Sequence, residues 1–187
     1  MPGMTEEHRA ELAEQEWEGT EALLRTWLRR AREGQHIQHE AGKRFRRAHY
    51  VLAVPVVVLT TVLGTATFAT ITSKVSDATK AIFGALSLLA AALAALQLHL
   101  RYLERAEKHK NLGAQYGKIR RDIETVLALP RVSRGETKTV LADVQSQLDR
   151  ISSEGDAVSR RIYQKTLKRL AARDRLKRAK PDSLPEA

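Results

Sequence analysis

Residues 48–73 read AHYVLAVPVVVLTTVLGTATFATITS, and residues 81–100 read AIFGALSLLAAALAALQLHL. Neither stretch contains Asp, Glu, Lys or Arg. A bilayer hydrocarbon core is about 30 Å thick, and a helix rising about 1.5 Å per residue needs roughly 20 apolar residues to cross it. The pattern predicts an all-α protein with two membrane-spanning helices. The short loop between them, 74–80, predicts that they pack antiparallel as a hairpin.

The flanks of the two stretches are rich in Lys and Arg. Seven basic residues lie between positions 29 and 47 and seven between 101 and 121, whereas the loop holds only Lys74 and Lys80. Because short basic flanks stay on the cytoplasmic side, both termini are expected in the cytosol. The expected order is a cytosolic helical segment 1–47, transmembrane helix 48–73, extracytoplasmic loop 74–80, transmembrane helix 81–100, cytosolic helical region 101–180 and a disordered tail 181–187.

Composition argues against a large soluble catalytic domain. The chain has 187 residues and a formal net charge of +10, and its strongly apolar sequence is concentrated in the two stretches. It contains no cysteine, which excludes disulfides and thiolate metal sites. No Walker loop, dinucleotide-binding glycine pattern, nucleophile elbow or HExxH motif is present. We therefore expect neither an enzyme nor a bound cofactor.

Apolar residues outside the stretches recur at helical spacing. A first helix is expected from about Thr5 to Glu33, with a bend near Gly34 and Gly42, and an uninterrupted rod is expected from Leu100 to Leu129. Further helices are expected from about 137 to a hinge at 153–156, and from about 157 to 180. The apolar faces are Trp17, Thr20, Leu24, Trp27 and Ala31; Leu112, Tyr116, Ile119, Ile123 and Val126, a seam suited to a partner helix; and Leu141, Val144, Leu148 and Ile151.

The polar and small residues within the apolar stretches allow more than one interpretation. Thr61 and Thr65 share one face and Thr60, Gly64 and Thr67 another, so assembled hairpins can present hydroxyls to a water-filled lumen. Equally, threonine in a membrane helix can bond its own backbone carbonyls and line nothing. Small residues that favour close helix packing are Gly64 in the first stretch and Gly84, Ser87, Ala91 and Ala95 in the second.

Histidines and basic residues give weaker signals. His36, His39 and Glu40 have the spacing of metal ligands on a helix, but a solvated stretch beside a basic run explains them, and we expect no metal. His49 and His99, at the span edges, can sense pH or simply reach water. The segment 160–180 holds ten basic residues and one acid. Its expected counterions are lipid headgroups or an acidic helix, such as Glu6 to Glu21, rather than a specific nucleic acid.

After the second stretch, residues 103–123 read LERAEKHKNLGAQYGKIRRDI. With a charged helix before two closely spaced spans, this segment resembles the SLATT domain, and the resemblance extends from about Trp17 to Leu170. It implies a bacterial inner-membrane effector of nucleotide-sensing conflict systems, one that perforates the membrane when a partner signals infection. The implied partners are membrane lipid, further copies of the chain, and a nucleotide-sensing or nucleotide-producing protein. The alternative is a passive membrane anchor or scaffold that presents a helical docking module.

Overall fold

The computed structural model describes residues 6–70 and 76–179, and their side chains from 15 to 67 and from 76 to 179, except 177. This part of the chain is all-helical, as the sequence predicts. The proposed cap at Thr5, the end of the first expected span with the start of the loop (residues 71–75), and the tail 181–187 lie outside the described residues. The elements are α1 (Glu6–Thr70), α2 (Asp77–Leu100), α3 (Tyr102–Ala128), a 3₁₀ turn (Arg131–Ser133), α4 (Thr137–Glu154) and α5 (Arg160–Ala179).

The chain forms two compact units. One, here called the core unit, comprises Met1–Ala41 and His109–Ala187, and the other, the apolar unit, comprises Gly42–Lys108. The boundaries fall inside α1 and α3. The core unit therefore combines two segments that are separated along the chain, whereas the apolar unit is one continuous segment.

The core unit buries apolar residues from three helices mostly at seven-residue intervals, with Ile123 four residues after Ile119. Seven residues are two helical turns, so such residues form one narrow stripe on each helix. Fully burying a side chain such as Leu or Ile contributes about 1.5–3 kcal/mol, and Leu24, Ile119 and Ile123 are among the most completely buried. The shared cluster consists of Trp17, Leu24 and Ala31 from α1, Leu112, Ile119 and Ile123 from α3, and Val144 and Ile151 from α4.

Glycines let α1 and α3 approach closely in the core unit. A Cβ at Gly34 would lie 2.9 Å from the Tyr116 ring, and one at Gly113 would lie 3.2 Å from the His39 ring. A Cβ at Gly117 would meet the Gln35 amide nitrogen at 2.9 Å. Each glycine thus leaves space for a side chain of the facing helix.

Two expected interruptions differ from the structure. α1 is helical from Glu6 to Thr70, through Gly34 and Gly42, so the expected end of the first helix near Glu33 is wrong. The space at Gly34 holds the Tyr116 ring, which explains a glycine inside a helix. Conversely, the rod expected from Leu100 to Leu129 is interrupted at Arg101, which has φ 47° and separates α2 from α3.

The last two helices match the expected pattern apart from their ends. α4 ends at Glu154, inside the expected hinge, but α5 begins at Arg160, three residues later than expected. The backbone carbonyl of Ser159 accepts hydrogen bonds from the first turn of α5. The link between α4 and α5 is therefore a short non-helical segment, residues 155–159.

In the apolar unit, each long helix has one half-buried stripe. The spacing alternates between 3 and 4 residues, which defines a single face of a helix. Ala90 is the fully buried member of the α2 stripe. The stripes are Leu52, Val56, Leu59, Leu63 and Ala66 on α1, and Phe83, Leu86, Ala90, Leu93, Gln97 and Leu100 on α2.

Candidate functional site

The most unusual surface of the protein is the outside of the apolar unit, where large aliphatic side chains are uncovered. Val51 is 70% exposed, Leu88 74% and Leu98 81%. In the most apolar eighteen-residue windows, none of the first helix and only 6% of the second is buried. Both helices are long and apolar enough to cross a membrane.

This exposure separates the two helices from the core helices of a water-soluble protein, which are mostly buried. Apolar surface left in water costs about 25 cal/mol per Å² relative to burial, and contiguous exposed apolar patches mark contacts with a partner or a membrane. Further exposed aliphatic residues on α1 and α2 continue the surface around both helices: Val54, Val57, Val58, Val62, Ile82, Leu89 and Leu96.

Charged and aromatic residues gather at one end of this surface. Lys43, Arg44, Arg46 and Arg47 on α1 are exposed. The Phe45 and Tyr102 rings lie 6.1 Å apart, and the exposed Tyr50 packs on the His49 ring at 5.5 Å. Such rings beside basic residues are typical of a membrane–water interface.

The break at Arg101 lies at that same end. Arg101 ends α2 in the left-handed region, which costs a non-glycine residue roughly 1–2 kcal/mol. Its backbone carbonyl accepts the Arg105 N–H, and its guanidinium donates to Glu104 in the first turn of α3. The apolar helix therefore ends where the charged sequence begins.

The opposite end of α2 begins with a polar cap. Ser76 accepts a hydrogen bond from the Thr79 backbone N–H, the usual way to satisfy an orphan donor at a helix start. Asp77 lies in the first turn, where a negative charge complements the helix dipole, and pairs with Lys80 at 2.9 Å.

The four threonines at positions 60, 61, 65 and 67 of α1 are exposed, and their hydroxyls are bonded within their own helix. Thr61 donates to the Val57 carbonyl at 2.8 Å, and Thr65 to the Thr61 carbonyl at 2.7 Å. Thr60 and Thr67 make equivalent bonds to Val56 and Leu63. The candidate pore-lining pair thus lies on the surface, with its hydroxyl protons satisfied inside the chain.

The candidate small-residue packing face is also on the outside. Gly84, Ser87, Ala91 and Ala95 are exposed, and the first three each follow a member of the half-buried stripe that contains Ala90 by one residue. A Cβ at Gly64 or Gly84 would meet nothing within 4 Å. Within the described part of the chain these positions are thus open, and a packing role for them would need a second molecule.

The candidate helix seam is occupied by the chain itself. Leu112, Ile119 and Ile123 are in the shared core, and Tyr116 and Val126 pack against it. The N-terminal face contributes Trp17, Leu24 and Ala31 to the same core, while Thr20 is buried and donates to the Glu16 carbonyl at 3.0 Å. The side chains that form this seam therefore pack within the core unit itself.

A cluster around Glu21 fixes the connection between α3 and α4. Arg131 and Arg134 both donate to the Glu21 carboxylate. These hydrogen bonds, first from Arg131 and then from Arg134, lower the pKa of Glu21 from 4.5 to about 2. Arg134 also lies 5.3 Å from the centre of the Trp17 ring and donates to the Leu127 carbonyl at the end of α3.

Glu16 and Glu21, which belong to the acidic segment at the start of α1, thus face the α3–α4 connection. Glu21 holds Arg131 and Arg134, and Glu16 accepts from Thr137 at the start of α4. Among the described side chains, the basic C-terminal helix forms ion pairs through Asp174 with Arg32 and through Arg169 with Glu40. The acidic side chains at positions 6–14, part of the candidate counterion segment, lie outside the described residues.

The histidine cluster of α1 serves packing. His39 fills the space over Gly113, and Glu40 lies 3.7 Å from Arg169. Desolvation, followed by the charges of Arg32 and Arg173, lowers the pKa of His36. Within the described ranges no three His, Cys, Asp or Glu residues group as a metal site.

Two polar pairs were not evident from the sequence. His109 Nδ1 and Gln38 Oε1 are 2.6 Å apart and both residues are buried. Arg32 donates to the Asp174 carboxylate through both terminal guanidinium nitrogens, Nη1 and Nη2. The partners are 71 and 142 residues apart, and no local spacing signals such a contact.

The SLATT-like segment, residues 103–123, makes up most of α3. Comparison with protein-family models, curated proteins and solved structures gives no match. The resemblance therefore depends on this segment, the charged N-terminal helix and the two apolar stretches alone.

Proposed function

We propose that this protein is a two-span protein of the bacterial inner membrane, with the exposed surface of the apolar unit facing lipid. α1 and α2 form an antiparallel hairpin whose loop is extracytoplasmic, and both termini are cytoplasmic. The uncovered aliphatic side chains, the basic and aromatic residues at one end, and the polar cap at the other support this arrangement.

The proposed activity is perforation or depolarisation of that membrane by an oligomer of hairpins. The hairpin buries one stripe of α2 and leaves Gly84, Ser87, Ala91 and Ala95 open for a second copy. In keeping with the SLATT resemblance, the biological role is an anti-phage, cell-suicide response, triggered by a nucleotide-sensing partner.

One observation carries the proposal: a lipid-compatible surface that also exposes a row of threonines. Thr61 and Thr65 lie one turn apart on the outside of α1, among exposed valines. When hairpins assemble around an axis, polar residues on one side of an apolar helix are the ones that can face water.

A passive anchor or scaffold is the second candidate, and a separate observation favours it: the hydrogen bonds that the threonine hydroxyls make within α1. Because each hydroxyl already donates to its own helix, these residues are compatible with lipid without lining anything. In that case the spans only hold the core unit at the membrane.

Membrane leakage separates the two candidates. Induced expression in bacteria, followed with a potential-sensitive dye, should collapse the membrane potential if hairpins form a pore. Replacing Thr61 and Thr65 with leucine should weaken the collapse, while extraction at alkaline pH should still recover the chain with the membranes.

The matched control replaces Thr60 and Thr67 with leucine. These hydroxyls make the same kind of hydrogen bond within the helix as those of Thr61 and Thr65. Both double variants therefore remove two such hydroxyls, but they change different faces of α1. An intact membrane at high expression, with and without a co-encoded sensor, would contradict the pore and favour the anchor.

A further inference from the structure

α5 has one face turned into the core unit and one turned outward. The inward positions recur every fourth residue: Ile162, Thr166, Leu170 and Asp174 are buried or half-buried. On the opposite side, Arg161, Lys165 and Lys168 are exposed. The inward positions hold the helix in place, and the outward ones are left to solvent.

The outward charges have no acid of their own helix to balance them. Asp174 is the single carboxylate between positions 160 and 179. It points inward, where both of its oxygens accept from Arg32, at 2.7 and 3.2 Å. Among the described residues, no ion pair engages Arg161, Lys165 or Lys168, so their positive charges add along one face.

The side chains of the outward face suit a phospholipid headgroup better than stacked bases. A shallow groove runs along it, lined by Arg161, Lys165, Lys168 and Arg169 with Ala172. The helix's one aromatic residue, Tyr163, instead lines a cleft with Gly34 and Tyr116. Single-stranded nucleic acid binders place aromatic rings among their cations, and this face has none.

An exposed apolar side chain accompanies the cations. Leu176 is 71% exposed and follows Lys165 by eleven residues, which is three helical turns, so the two lie on nearly the same side. Helices that lie in a membrane interface combine basic residues with apolar side chains in this way.

We infer that the outward face of α5 binds the anionic phospholipid headgroups of a bilayer. This inference rests on the proposed membrane location, because the spans hold the core unit near a polyanionic surface at high effective concentration. Basic residues near an anionic leaflet gain electrostatic attraction that falls off within a Debye length of about 8 Å at physiological salt. Contact is therefore expected to need anionic lipid and to weaken in salt.

The absence of cysteine from the chain allows a direct test on the full-length protein. Gln164→Cys introduces a single thiol beside the groove, and Gln145→Cys introduces one on the exposed side of α4. Each variant is reconstituted in nanodiscs of phosphatidylcholine alone, or of phosphatidylcholine mixed with phosphatidylglycerol. The rate of labelling by a water-soluble maleimide is then compared between the two lipids.

We expect slow labelling at position 164 in the anionic discs and fast labelling in the neutral ones. High salt should restore fast labelling in the anionic discs. The rate at position 145 should be the same in both lipids. In the 164 background, exchanging Arg161, Lys165 and Lys168 for glutamine should restore fast labelling, since removing three basic residues weakens headgroup attraction by roughly a hundredfold. The matched control removes the same charge elsewhere in the core unit, at exposed Lys118, Arg121 and Lys138, and should keep position 164 protected.

Four results would overturn the inference. Equal labelling in both lipids would show that the face does not contact headgroups. Equal loss of protection in the two triple variants would show an effect of net charge alone. Protection in neutral discs that disappears after nuclease treatment would identify nucleic acid as the occupant. A chain that does not enter the discs would contradict the two-span proposal and, with it, this one.

Discussion

Arg32 and Asp174 join α1 to α5 through two parallel hydrogen bonds, 3.2 and 2.7 Å long. Both side chains are a little more than one-third exposed. Bidentate pairing fixes the orientation of both groups, and exposure limits its contribution to stability. The pair therefore positions α5 more than it stabilises the fold.

Asp174→Asn should loosen α5 without unfolding the core unit. We expect a loss of about 0.5–1 kcal/mol, in line with a partly solvated ion pair. Hydrogen exchange of the α5 amides should speed up while exchange in α3 stays constant. Glu154→Gln, which removes an exposed ion pair within α4, is the control and should leave α5 exchange unchanged. Equal exchange in both variants would contradict the positioning role.

Gly34→Ala should destabilise the protein although alanine is the better helix former. The new Cβ would lie 2.9 Å from the Tyr116 ring, so the helices must separate, at a cost of about 1–3 kcal/mol that outweighs the gain in helix propensity. Gly19→Ala meets nothing within 4 Å and should instead raise the free energy of unfolding by roughly 0.5–1 kcal/mol. Thermal unfolding in detergent measures both, and a stabilised Gly34→Ala would show that Tyr116 moves aside freely.

Glu21 should make stability fall in acid. Its pKa in the folded chain, about 2, lies below the ordinary 4.5. The charged carboxylate therefore stabilises the fold above pH 4.5, and this contribution declines as the pH falls towards about 2. Unfolding followed by tryptophan fluorescence should show a smaller decline over this range in Glu21→Gln. Glu18→Gln, at an exposed position of the same helix, should retain the original pH dependence.

Leu88→Arg distinguishes lipid from water around α2. Leu88 lies near the middle of the helix and is 74% exposed. In water such a substitution changes stability by less than about 0.5 kcal/mol, whereas arginine at a bilayer centre costs about 2.5–3.5 kcal/mol. We expect a marked loss of membrane-inserted protein. Val132→Arg, at a position 94% exposed in the 3₁₀ turn, should insert normally, and equal insertion of both variants would contradict the two-span proposal.

Periodicity was the sequence signal that predicted most of the helical architecture. Charge-free stretches predicted the two apolar helices, and spacings of 3 and 4 identified Trp17, Leu24, Ile119 and Val144 as members of buried faces. A repeating pattern identifies a face but not what covers it. The seam on α3 therefore gave no sign that α1 and α4 of the same chain fill it.

The remaining features depend on contacts between distant residues. The sequence around Arg101 has no glycine or proline to announce a break, and Gly34 has the appearance of a weak point unless the position of Tyr116 is known. The small-residue face of α2 lies one residue away from the stripe that is half-buried. On a helix that is a rotation of about 100°, which composition alone cannot resolve.

The threonine hydroxyls of α1 have a polarity as well as a position. A hydroxyl has one proton to donate and two lone pairs to accept with, and Thr61 and Thr65 give their protons to backbone carbonyls. Their outward-facing oxygen lone pairs can therefore only accept hydrogen bonds. A water-filled passage lined by this face would solvate cations better than anions. Its charge preference would therefore follow from hydrogen bonds made within the helix.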